Sequence, residues 1–348
     1  MKKALIVGAT GFGGLGLIEI LLRHPHIALK QLVARKDAGE PVSKIFPHLR
    51  GNCDMLVDST ENIDFTGIDV AFFSTPDRAG MMLIQEFYRR GIPVIDFSGD
   101  FRFASEADYA TYAKNKGMDT VHHAPEILEH AVYGLPEINA DKIRSAKVVG
   151  NPGCFAISMI LGLLPAVESG IIEGATVICD GKSGVSGAGK NPGEANFYPQ
   201  RYENINTYRE GRHQHLVEVE NTINSRAGGN YKVLFVPQVV PMSRGILTTI
   251  YADVKKGDTT SQLMEIYKEY YSGKPFVLVS DTSPNTTDVR GSNRCEIRPL
   301  VDERTGKLFL TSVIDNLVKG QSGNAVQNAN LILGLNECDG LRSLPQYP

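Results

Sequence analysis

The chain has 348 residues, enough for two domains of ordinary size, and its 42 % apolar and 22 % charged residues are typical of a soluble globular protein. A formal net charge of −3, without runs of lysine and arginine, argues against a nucleic-acid partner, and the apolar runs are too short for a membrane span. Five irregularly spaced cysteines without CxxC pairs predict neither a disulfide framework nor a zinc site. We therefore expect a protein of a reducing compartment, most simply the cytoplasm.

The chain begins with a pattern typical of a strand, a glycine-rich turn and an amphipathic helix, KKALIVGATGFGGLGLIEILLRH. Its apolar run is too short for a secretory signal and leads directly into the turn. Gly8, Gly11 and Gly14 follow the spacing GxxGxxG, a variant of the dinucleotide fingerprint, in which small residues allow a tight turn and a close approach of pyrophosphate to N–H groups. We predict that this turn binds a cofactor through Gly8, Thr10, Gly11, Phe12 and Gly14. A glycine-rich turn without a ligand is the alternative.

The second strand-like run, IALKQLVAR, ends at Arg35, about twenty residues beyond the last glycine of the turn. An NAD site usually has an acidic residue at this place, whereas an arginine suits the 2′-phosphate of NADP. Lys36 adds a second positive charge and Asp37 a negative one. We therefore predict NADPH rather than NADH as the cofactor, with Arg35 as a ligand.

Two further strand-like runs, IDVAFFSTP and IPVIDFSGDF, flank a helical pattern, AGMMLIQEFYRRG. This alternation predicts parallel strands joined by right-handed crossovers, and ligands bind at the carboxyl ends of such strands. Ser74 and Pro76 follow the first of these runs, and we predict that they contact the cofactor. The polar residues of VIDFSGDFR fit a ligand contact or a buried polar turn equally well: Asp96, Ser98, Asp100 and Arg102.

Beyond residue 150 the alternation weakens and strand-like runs dominate, which predicts an α+β domain with a mainly antiparallel sheet. The closing stretch GNAVQNANLILGLNE returns to a helical pattern, with an apolar side formed by Val326, Ala329, Leu331 and Leu333. We infer that this helix packs on the first domain, which makes the second domain an insertion. The predicted fold is α/β: a Rossmann-type parallel-sheet domain at 1–150, completed by a C-terminal helix at about 318–348, and an inserted catalytic and dimerisation domain at 151–317.

The stretch VVGNPGCFAISMILGLL places Cys154 at the start of an apolar helical run, directly after Asn151, Pro152 and Gly153. At a helix N-terminus, free N–H groups and the macrodipole stabilise an anion, so a thiol there has a lowered pKa and more thiolate at neutral pH. The same N–H groups can hold a developing oxyanion. We predict that Cys154 is a catalytic nucleophile and that Asn151 contacts the substrate.

The stretch YREGRHQHLVEVEN supplies His213 and His215, which would share one face of a strand, as alternating residues do. An imidazole can move the proton that a thiol nucleophile requires. HxH is also a metal-ligand pattern, but no third ligand is obvious nearby, and we predict no metal site. Glu218 and Glu220 can orient an imidazole, bind a substrate amine or lie on a solvated helix face. We predict that His215 and Glu218 contact the substrate.

The segment GKSGVSGAGKNPG suits an anionic group, which its N–H groups, hydroxyls and lysines can bind, and it also suits a flexible lid. We predict that Ser183 and Gly184 in this segment contact the cofactor. Arginine can pair with a substrate carboxylate in a two-pronged geometry. Of the arginines in the second half of the chain, Arg244, in PMSRGIL, is our choice for that role.

Eight stretches, in family order along the chain, resemble the N-acetyl-γ-glutamyl-phosphate reductases, a family of the aspartate-semialdehyde dehydrogenase superfamily. They run from residue 5 to about 334 and are VGATGFGG, VIDFSGDFR, AVYGLPE, NPGCF, KSGVSGAG, RGIL, GSNRCEI and DNLVKGQSGNAVQN. AVYGLPE, NPGC and DNLVKG…AVQN together are highly specific, whereas the glycine fingerprint alone is not. The resemblance implies a cofactor domain followed by a catalytic domain, NADPH as donor, Cys154 as nucleophile, Asn316 near the cofactor, and a homodimer or homotetramer.

The histidine stretch departs from the family pattern. The family's HRHTPEIEQ is HQHLVEVEN here, so the His-x-His core is kept, and His213 matches the family's proposed acid/base. After the cysteine, FAI replaces the common tyrosine-proline-threonine, and FVPQVVP lacks a histidine that is often found there. These departures surround the substrate side and therefore bear on which acyl phosphate is used.

We predict an NADPH-dependent enzyme that reduces an acyl phosphate to a semialdehyde. In this prediction Cys154 attacks the acyl carbon, phosphate leaves, and His213 handles the proton after the thioacyl group has been reduced. The resemblance favours N-acetyl-glutamyl 5-phosphate, in arginine biosynthesis. The alternatives are a carrier-bound aminoadipyl phosphate or aspartyl phosphate, hydrolysis of an ester or amide by the thiol without a cofactor, and a nucleotide-binding sensor without activity.

Overall fold

The computed structural model describes residues 1–191, 193–255, 257 and 259–347. The strands within these ranges are β1 Lys2–Val7, β2 Ile27–Val33, β3 Val57–Asp58, β4 Val70–Phe73, β5 Val94–Asp96, β6 Val132–Tyr133, β7 Val148–Gly150, β8 Ile172–Ser183, β9 Asn206–Thr207, β10 Lys232–Val239, β11 Ile246–Val254, β12 Val277–Val279, β13 Cys295–Asp302 and β14 Lys307–Ile314. The α-helices are α1 Phe12–Leu21, α2 Val42–Ile45, α3 Met81–Arg89, α4 Glu106–Lys116, α5 Pro125–Leu128, α6 Pro136–Arg144, α7 Cys154–Glu168, α8 Tyr198–Arg201, α9 His215–Ala227, α10 Thr260–Tyr270 and α11 Gly323–Ile332.

The chain divides into two compact units. The first comprises Met1–Thr111, Asp119–Pro152 and Gln321–Ser343, and the second comprises Tyr112–Met118, Gly153–Gly320 and the residues from Leu344 onward. The domains proposed from the sequence, 1–150 with about 318–348 and 151–317, therefore differ from the units mainly in two short segments. Both of these segments, 112–118 and the residues from Leu344 onward, fall in the first of the two domains that the sequence predicts.

The first unit is built on a seven-stranded sheet in the order β3-β2-β1-β4-β5-β7-β6, and all of its strand pairs are parallel. The order 3-2-1-4-5, which begins at the edge strand β3, is that of the Rossmann fold. All four residues of β4 are buried, as expected for a central parallel strand covered on both faces. The predicted Rossmann-type sheet is confirmed.

Helix α11 returns to the first unit and packs against α1 and α6, as the closing pattern predicts. Its apolar residues Val326, Ala329 and Leu331 are buried. The helix also buries asparagines, and two of them, Asn324 and Asn328, donate their side-chain amides to the carbonyl of Gly134 at 2.7 and 2.9 Å. The helix is thus fixed by hydrogen bonds as well as by its apolar side.

The second unit is built on a seven-stranded sheet in the order β12-β13-β14-β11-β8-β10-β9. Four of its six strand pairs are antiparallel, and the pairs β12–β13 and β10–β8 are parallel. The predicted α+β unit with a mainly antiparallel sheet is confirmed.

Helix α7 packs on β11 and β14 and is buried along its whole length from Phe155 to Val167. A helix that is apolar on all sides is stable in water only when it is buried in such a core. Ser158, its buried hydroxyl, donates to Thr248 Oγ1 of β11 at 2.9 Å. The core of the second unit therefore fixes the first residue of α7, Cys154, in place.

Among the described residues, none of the helices combines the length and the apolar composition that crossing a bilayer requires.

Candidate active site

The predicted cofactor turn lies in the first unit, between β1 and α1. Gly8 has φ +84°, a left-handed conformation, and a Cβ there would lie 2.3 Å from the carbonyl oxygen of Ser74. A Cβ at Gly14 would lie 2.4 Å from the carbonyl oxygen of Gly8. Gly11 directly precedes α1 and has no side chain to cap it. The turn is therefore tight and presents the start of a helix. The remaining predicted turn residues lie in the same segment: Thr10 and Phe12.

Gly13 is a turn residue that the sequence analysis did not single out. A Cβ on Gly13 would lie 2.4 Å from Ser74 Oγ and 3.0 Å from Gln321 Nε2, and Ser322 Oγ donates to the Gly13 carbonyl at 2.9 Å. Ser74 therefore lies against the turn, at the end of β4, and Pro76 is exposed two residues further on. The sequence does contain a signal for Gly13: it is one of a pair of adjacent glycines, of which only Gly14 belongs to the GxxGxxG spacing.

Arg35 follows β2 by two residues and is exposed. None of the described carboxylates forms an ion pair with it, although its charge is one of the minor causes that lower the pKa of Glu61, after hydrogen bonds from Ser59 and the local backbone. Asp37 stands in a left-handed conformation with φ +64°. The guanidinium of Arg35 is thus open to an anionic ligand.

The side chain of Asn151 is held within its own unit, directly after β7. Its Oδ1 accepts from the side-chain amides of Asn324 at 2.8 Å and Asn328 at 3.2 Å, and its Nδ2 donates to the carbonyl of Gln321 at 3.1 Å. Arg102 Nε donates to the Asn151 carbonyl at 2.8 Å. These contacts favour a role for Asn151 in fixing the turn before the cysteine over the predicted contact with substrate.

The polar residues of VIDFSGDFR form a buried turn after β5. The N–H of Ser98 donates to Asp96 Oδ1 at 3.3 Å, and Asp100 Oδ2 accepts from the N–H of Arg78 at 2.6 Å. Burial, with the charge of Asp100 as the second cause, raises the pKa of Asp96. Of the two interpretations left open by the sequence, the contacts favour the buried polar turn.

Cys154 lies in the second unit as the first residue of α7. Gly153 precedes it in an extended conformation, φ −71° and ψ 148°, so the helix begins at the thiol. Of the five cysteines, Cys154 is the one that is not buried. Gly320 packs directly against it, because a Cβ on Gly320 would lie 2.8 Å from Cys154 Cβ. The thiol therefore has the place at a helix N-terminus that the sequence predicts.

The interpretation of the histidine stretch as a strand is wrong. His215 is the first residue of helix α9, and His213 lies two residues ahead of it. The two rings are nevertheless neighbours, with centroids 4.7 Å apart in a T-shaped arrangement, and the N–H of His215 donates to His213 Nδ1 at 3.2 Å. The start of a helix brings the pair together as a strand face would have done.

His213 lies in a cage of aromatic rings. Its ring is 5.2 Å from Phe235, 5.7 Å from Tyr208 and 5.8 Å from Phe155, the residue after the thiol. Burial is the main cause that lowers its pKa to about 2, and the charges of His215, Arg209 and Lys116 add to the effect. A neutral imidazole at every physiological pH is a poor proton carrier.

His215 lies against the backbone that leads into the thiol. A Cβ on Gly153 would fall 2.1 Å from His215 Nε2, so the ring edge covers this glycine. Glu218, one helical turn further along α9, is buried, and its Oε2 accepts from the N–H of Gly153 at 3.0 Å. Its Oε1 is 3.9 Å from His215 Nε2. Glu220 instead pairs with Lys232 at 3.0 Å on the surface.

Arg244 is tied to a buried carboxylate. Its Nη2 donates to Asp315 Oδ1 at 3.2 Å, and its side chain is 31 % exposed. Its Nε is buried without a hydrogen-bond partner among the described residues. Asp315 also accepts the N–H groups of Gly291 at 2.6 Å, Leu317 at 2.8 Å and Val318 at 3.1 Å. The carboxylate thus fastens the arginine to two loops.

The remaining predicted cofactor residues, Ser183, Gly184 and Asn316, belong to the second unit and lie around the Arg244 loop. Gly184 N–H donates to the carbonyl of Gly245 at 3.0 Å, and a Cβ on Gly184 would lie 2.8 Å from the backbone nitrogen of Arg244. Asn316 Oδ1 accepts from the N–H of Gly245 at 2.7 Å. The start of the glycine-rich segment is therefore pinned by backbone hydrogen bonds; its Pro192 lies outside the described residues.

Three residues near the thiol were missed by the sequence analysis: Tyr208, Asp315 and Gly320. Asp315 and Gly320 stand in the stretch DNLVKG, which was singled out only for Asn316. Their contacts join positions more than seventy residues apart, which no local pattern reveals. Within the part of the chain that the structure describes, no group of three or more His, Cys, Asp or Glu residues is arranged to hold a metal ion.

Two family models match most of the chain. The model "Semialdehyde dehydrogenase, NAD binding domain" matches residues 3–146, and "Semialdehyde dehydrogenase, dimerisation domain" matches residues 154–316.

Several curated relatives match over the full length, and each is an N-acetyl-gamma-glutamyl-phosphate reductase. That of Geobacter metallireducens is 41 % identical over 352 residues, and that of Citrifermentans bemidjiense 42 %, in both cases over 100 % of both chains. That of Bacillus mycoides is 40 % identical over 99 % of this chain and 100 % of its own.

Solved structures of similar fold are aspartate-semialdehyde dehydrogenases. Aspartate semialdehyde dehydrogenase II of Vibrio cholerae, complexed with ASA, has a TM-score of 0.73 and 20 % identity and covers 96 % of this chain and 98 % of its own. The enzyme of Candida albicans with NADP has a TM-score of 0.67 and 17 % identity over 96 % of this chain and 98 % of its own. At these identities the likeness shows the two-domain fold.

Proposed function

The chain belongs to the semialdehyde dehydrogenase family, among its N-acetyl-γ-glutamyl-phosphate reductases, and we propose that it reduces N-acetyl-γ-glutamyl phosphate to the semialdehyde and releases phosphate. The observation that carries this proposal is the position of Cys154. It is the one cysteine that is not buried, it begins a buried helix, and His215 and Glu218 contact the glycine directly before it.

In the proposed reaction the Cys154 sulfur attacks the acyl carbon. A carbon–sulfur bond forms, the bond from the acyl carbon to the phosphate oxygen breaks, and phosphate leaves with the electron pair. The start of α7 favours the thiolate and the oxyanion that develops on the acyl oxygen. The N–H of Gly153 is already donated to Glu218, so the donors are those of the first turn of α7 itself.

His215 is better placed than His213 to handle the proton. His215 covers Gly153, whereas burial keeps His213 neutral among aromatic rings. We assign to His215 the removal of the thiol proton and its return to the departing phosphate oxygen. His213 holds His215 in place by accepting its backbone N–H at Nδ1, and Glu218 fixes the glycine that His215 covers. The catalytic role predicted for His213 thus becomes a positioning role in this proposal.

A nicotinamide cofactor, when bound, supplies the hydride that reduces the thioacyl carbon. At Gly8 and Gly14 a Cβ would collide with the carbonyls of Ser74 and Gly8, so the turn is tight and leads directly into the free N–H groups at the start of α1, which suit its pyrophosphate. The open guanidinium of Arg35 suits a 2′-phosphate, which makes NADPH the proposed donor. Collapse of the resulting thiohemiacetal oxyanion breaks the carbon–sulfur bond and regenerates the thiolate.

Arg244 is the proposed ligand of the substrate carboxylate. Its Nε is a buried donor in need of an acceptor, and Asp315 holds one of its terminal nitrogens, so that the planar group is fixed for a two-pronged contact. An unpaired buried donor is costly, which explains why a carboxylate would be recognised here.

The second sheet offers a surface for a second copy of the chain. Leu234, Ile178, Tyr251 and Phe309 are paired across four adjacent strands, and the first three are exposed, Leu234 at 50 %. A continuous row of exposed apolar side chains is unusual on a monomer. We propose that the protein forms a homodimer through this face. We also propose that it is located in the cytoplasm, a reducing compartment in which the five thiols stay reduced.

The test is a single turnover without cofactor. Protein mixed with N-acetyl-γ-glutamyl phosphate should release one phosphate per active site and carry the acyl group on the peptide of Cys154, removable by hydroxylamine. The Cys154→Ser variant is the control. No phosphate burst with this substrate, but a burst with aspartyl or aminoadipyl phosphate, would assign another acyl group. No burst with any of them would refute the thioacyl step.

A further inference from the structure

The turn that leads to His213 contains an arginine in an unusual conformation. Arg209 has φ +50°, in the left-handed region that favours glycine, although Gly211 stands only two residues further on. Non-glycine residues persist there when the surrounding structure holds them, and such positions cluster at functional sites. The N–H of Arg212 closes the turn on the Arg209 carbonyl at 3.1 Å.

The guanidinium of Arg209 is aimed by a side chain between the two histidines. Its Nη1 donates to Gln214 Oε1 at 2.8 Å. None of the described carboxylates lies within ion-pair distance of it, in contrast to Arg244, which is paired with Asp315. Its charge reaches the histidine pair, since it is one of the causes that lower the pKa of His213, after burial and His215. A positive charge is thus held beside the pair without a compensating anion.

The neighbouring residue places this charge near the thiol. Tyr208 is half-buried, its ring is 5.7 Å from that of His213, and its N–H donates to the Pro237 carbonyl at 3.1 Å. Burial is the main cause that raises the pKa of Tyr208, and the thiol of Cys154 is the second. Tyr208 and Phe155, the residue after Cys154, thus contact the same His213 ring, and the next residue along the chain is Arg209.

We propose that Arg209, aimed by Gln214, binds the phosphoryl group of the acyl phosphate. This inference rests on the proposed function and deepens it, because the substrate carries two anionic groups. Arg244 takes the carboxylate in that proposal and His215 the bridging oxygen of the departing phosphate, but no residue is assigned to the charged non-bridging phosphoryl oxygens. A guanidinium without a carboxylate partner is suited to bind them and to stabilise the phosphate as it leaves.

The reverse reaction separates the two anions, because phosphate and semialdehyde are then separate substrates with separate KM values. The Arg209→Gln variant should raise the KM for inorganic phosphate roughly ten- to hundredfold, the loss of one charge-assisted contact, and leave the KM for the semialdehyde within about twofold. Arg212→Gln is the matched control, an exposed arginine of the same turn, and should leave both KM values within about twofold.

A second variant tests the charge without touching the arginine. Gln214→Glu places a carboxylate against Arg209 and neutralises it, so the KM for phosphate should rise while the unfolding temperature stays unchanged. An unchanged phosphate KM in both variants would overturn the inference. A parallel change in kcat, in both KM values and in the unfolding temperature would also overturn it, because this is the result expected from the loss of a purely structural arginine.

A binding assay keeps this test independent of the proposed function. Inorganic phosphate should slow the alkylation of Cys154 by iodoacetamide in the wild type, and about ten times more phosphate or more should be needed in Arg209→Gln. Protection in a wild type that does not turn over N-acetylglutamate semialdehyde would refute the proposed substrate but support the phosphate site. Turnover of the semialdehyde, with equal phosphate protection in wild type and Arg209→Gln, would support the proposed substrate and refute the phosphate site.

Discussion

Replacing Gly153 by alanine isolates the contact on which the proposed chemistry depends. The backbone of Gly153, φ −71° and ψ 148°, is ordinary for alanine, so the substitution introduces no backbone strain. The added Cβ would lie 2.1 Å from His215 Nε2 and 2.5 Å from two other ring atoms. Those atoms must move by about 1 Å or more to reach normal contact, about 3.5 Å between carbon atoms. The variant therefore acts by pushing the imidazole away from residue 153, its contact at the entrance to the thiol.

The expected magnitudes follow from this collision. Overpacking costs about 1–3 kcal/mol, offset by roughly 0.4–1 kcal/mol because alanine restricts the unfolded chain more than glycine does. A net destabilisation of about 1–2 kcal/mol is expected. Loss of the proton-transfer group should lower kcat by about 10²- to 10⁴-fold.

A double-mutant cycle with His215→Ala checks the cause. Urea unfolding and kcat are measured for wild type, Gly153→Ala, His215→Ala and the double variant. With the ring removed, alanine at 153 should no longer destabilise and should not lower kcat further. If Gly153→Ala costs the same in both backgrounds, His215 is not what the added methyl displaces, and the proposed placement of the imidazole is refuted.

Three further variants test other parts of the account. Arg35→Ser should raise the KM for NADPH roughly ten- to hundredfold and leave that for NADH within about twofold, and an equal effect on both would contradict a 2′-phosphate contact. Asp315→Asn replaces one oxygen of the carboxylate that holds Arg244 with an amide donor, so steady-state kinetics should show a higher KM for the acyl phosphate and a smaller change in kcat. A large fall in kcat with an unchanged KM would count against a substrate role for Arg244. Because burial lowers the pKa of His213 to about 2, the folded protein keeps it neutral while the unfolded chain protonates it below about pH 6.5. Stability is therefore lost as pH falls, and wild type should lose about 1.4 kcal/mol more than His213→Asn between pH 7.5 and 5.5 in urea unfolding; no difference would mean that the imidazole protonates freely.

Much of the fold follows from patterns that are local in the sequence. The run IALKQLVAR corresponds to β2, Ile27–Val33, and AGMMLIQEFYRRG to α3, Met81–Arg89. The NPGC segment marks the start of α7 because proline and glycine end the preceding strand and an uninterrupted apolar run follows. Such segments are long and periodic, so a single pattern decides them.

The histidine stretch was misassigned because two periods compete in it. His215, Val217 and Val219 alternate as on a strand, whereas Leu216, Val219 and Ile223 have the spacing of a helix face. The structure has the helix, since these apolar residues are buried and α9 packs against α7. Tertiary packing decided between two local alternatives.

The contacts that form the site join residues far apart in the chain, and a single sequence contains no pattern that indicates which of them pair. Glu218 binds the N–H of Gly153 across 65 positions, and Arg244 binds Asp315 across 71. The residue types were visible, but their pairing depends on how α9 and the β14–α11 connection meet α7. Sequence reasoning therefore found Cys154 and the pair of histidines and left open which histidine acts.

The measurement that tests the central claim most directly runs the reaction backwards. Wild type and Cys154→Ser are supplied with N-acetylglutamate semialdehyde, phosphate and NADP⁺, and NADPH absorbance is followed. The account predicts phosphate-dependent NADPH formation by the wild type and a loss of orders of magnitude in the variant, because a hydroxyl is seldom ionised at neutral pH. Full activity of a folded Cys154→Ser variant would contradict it.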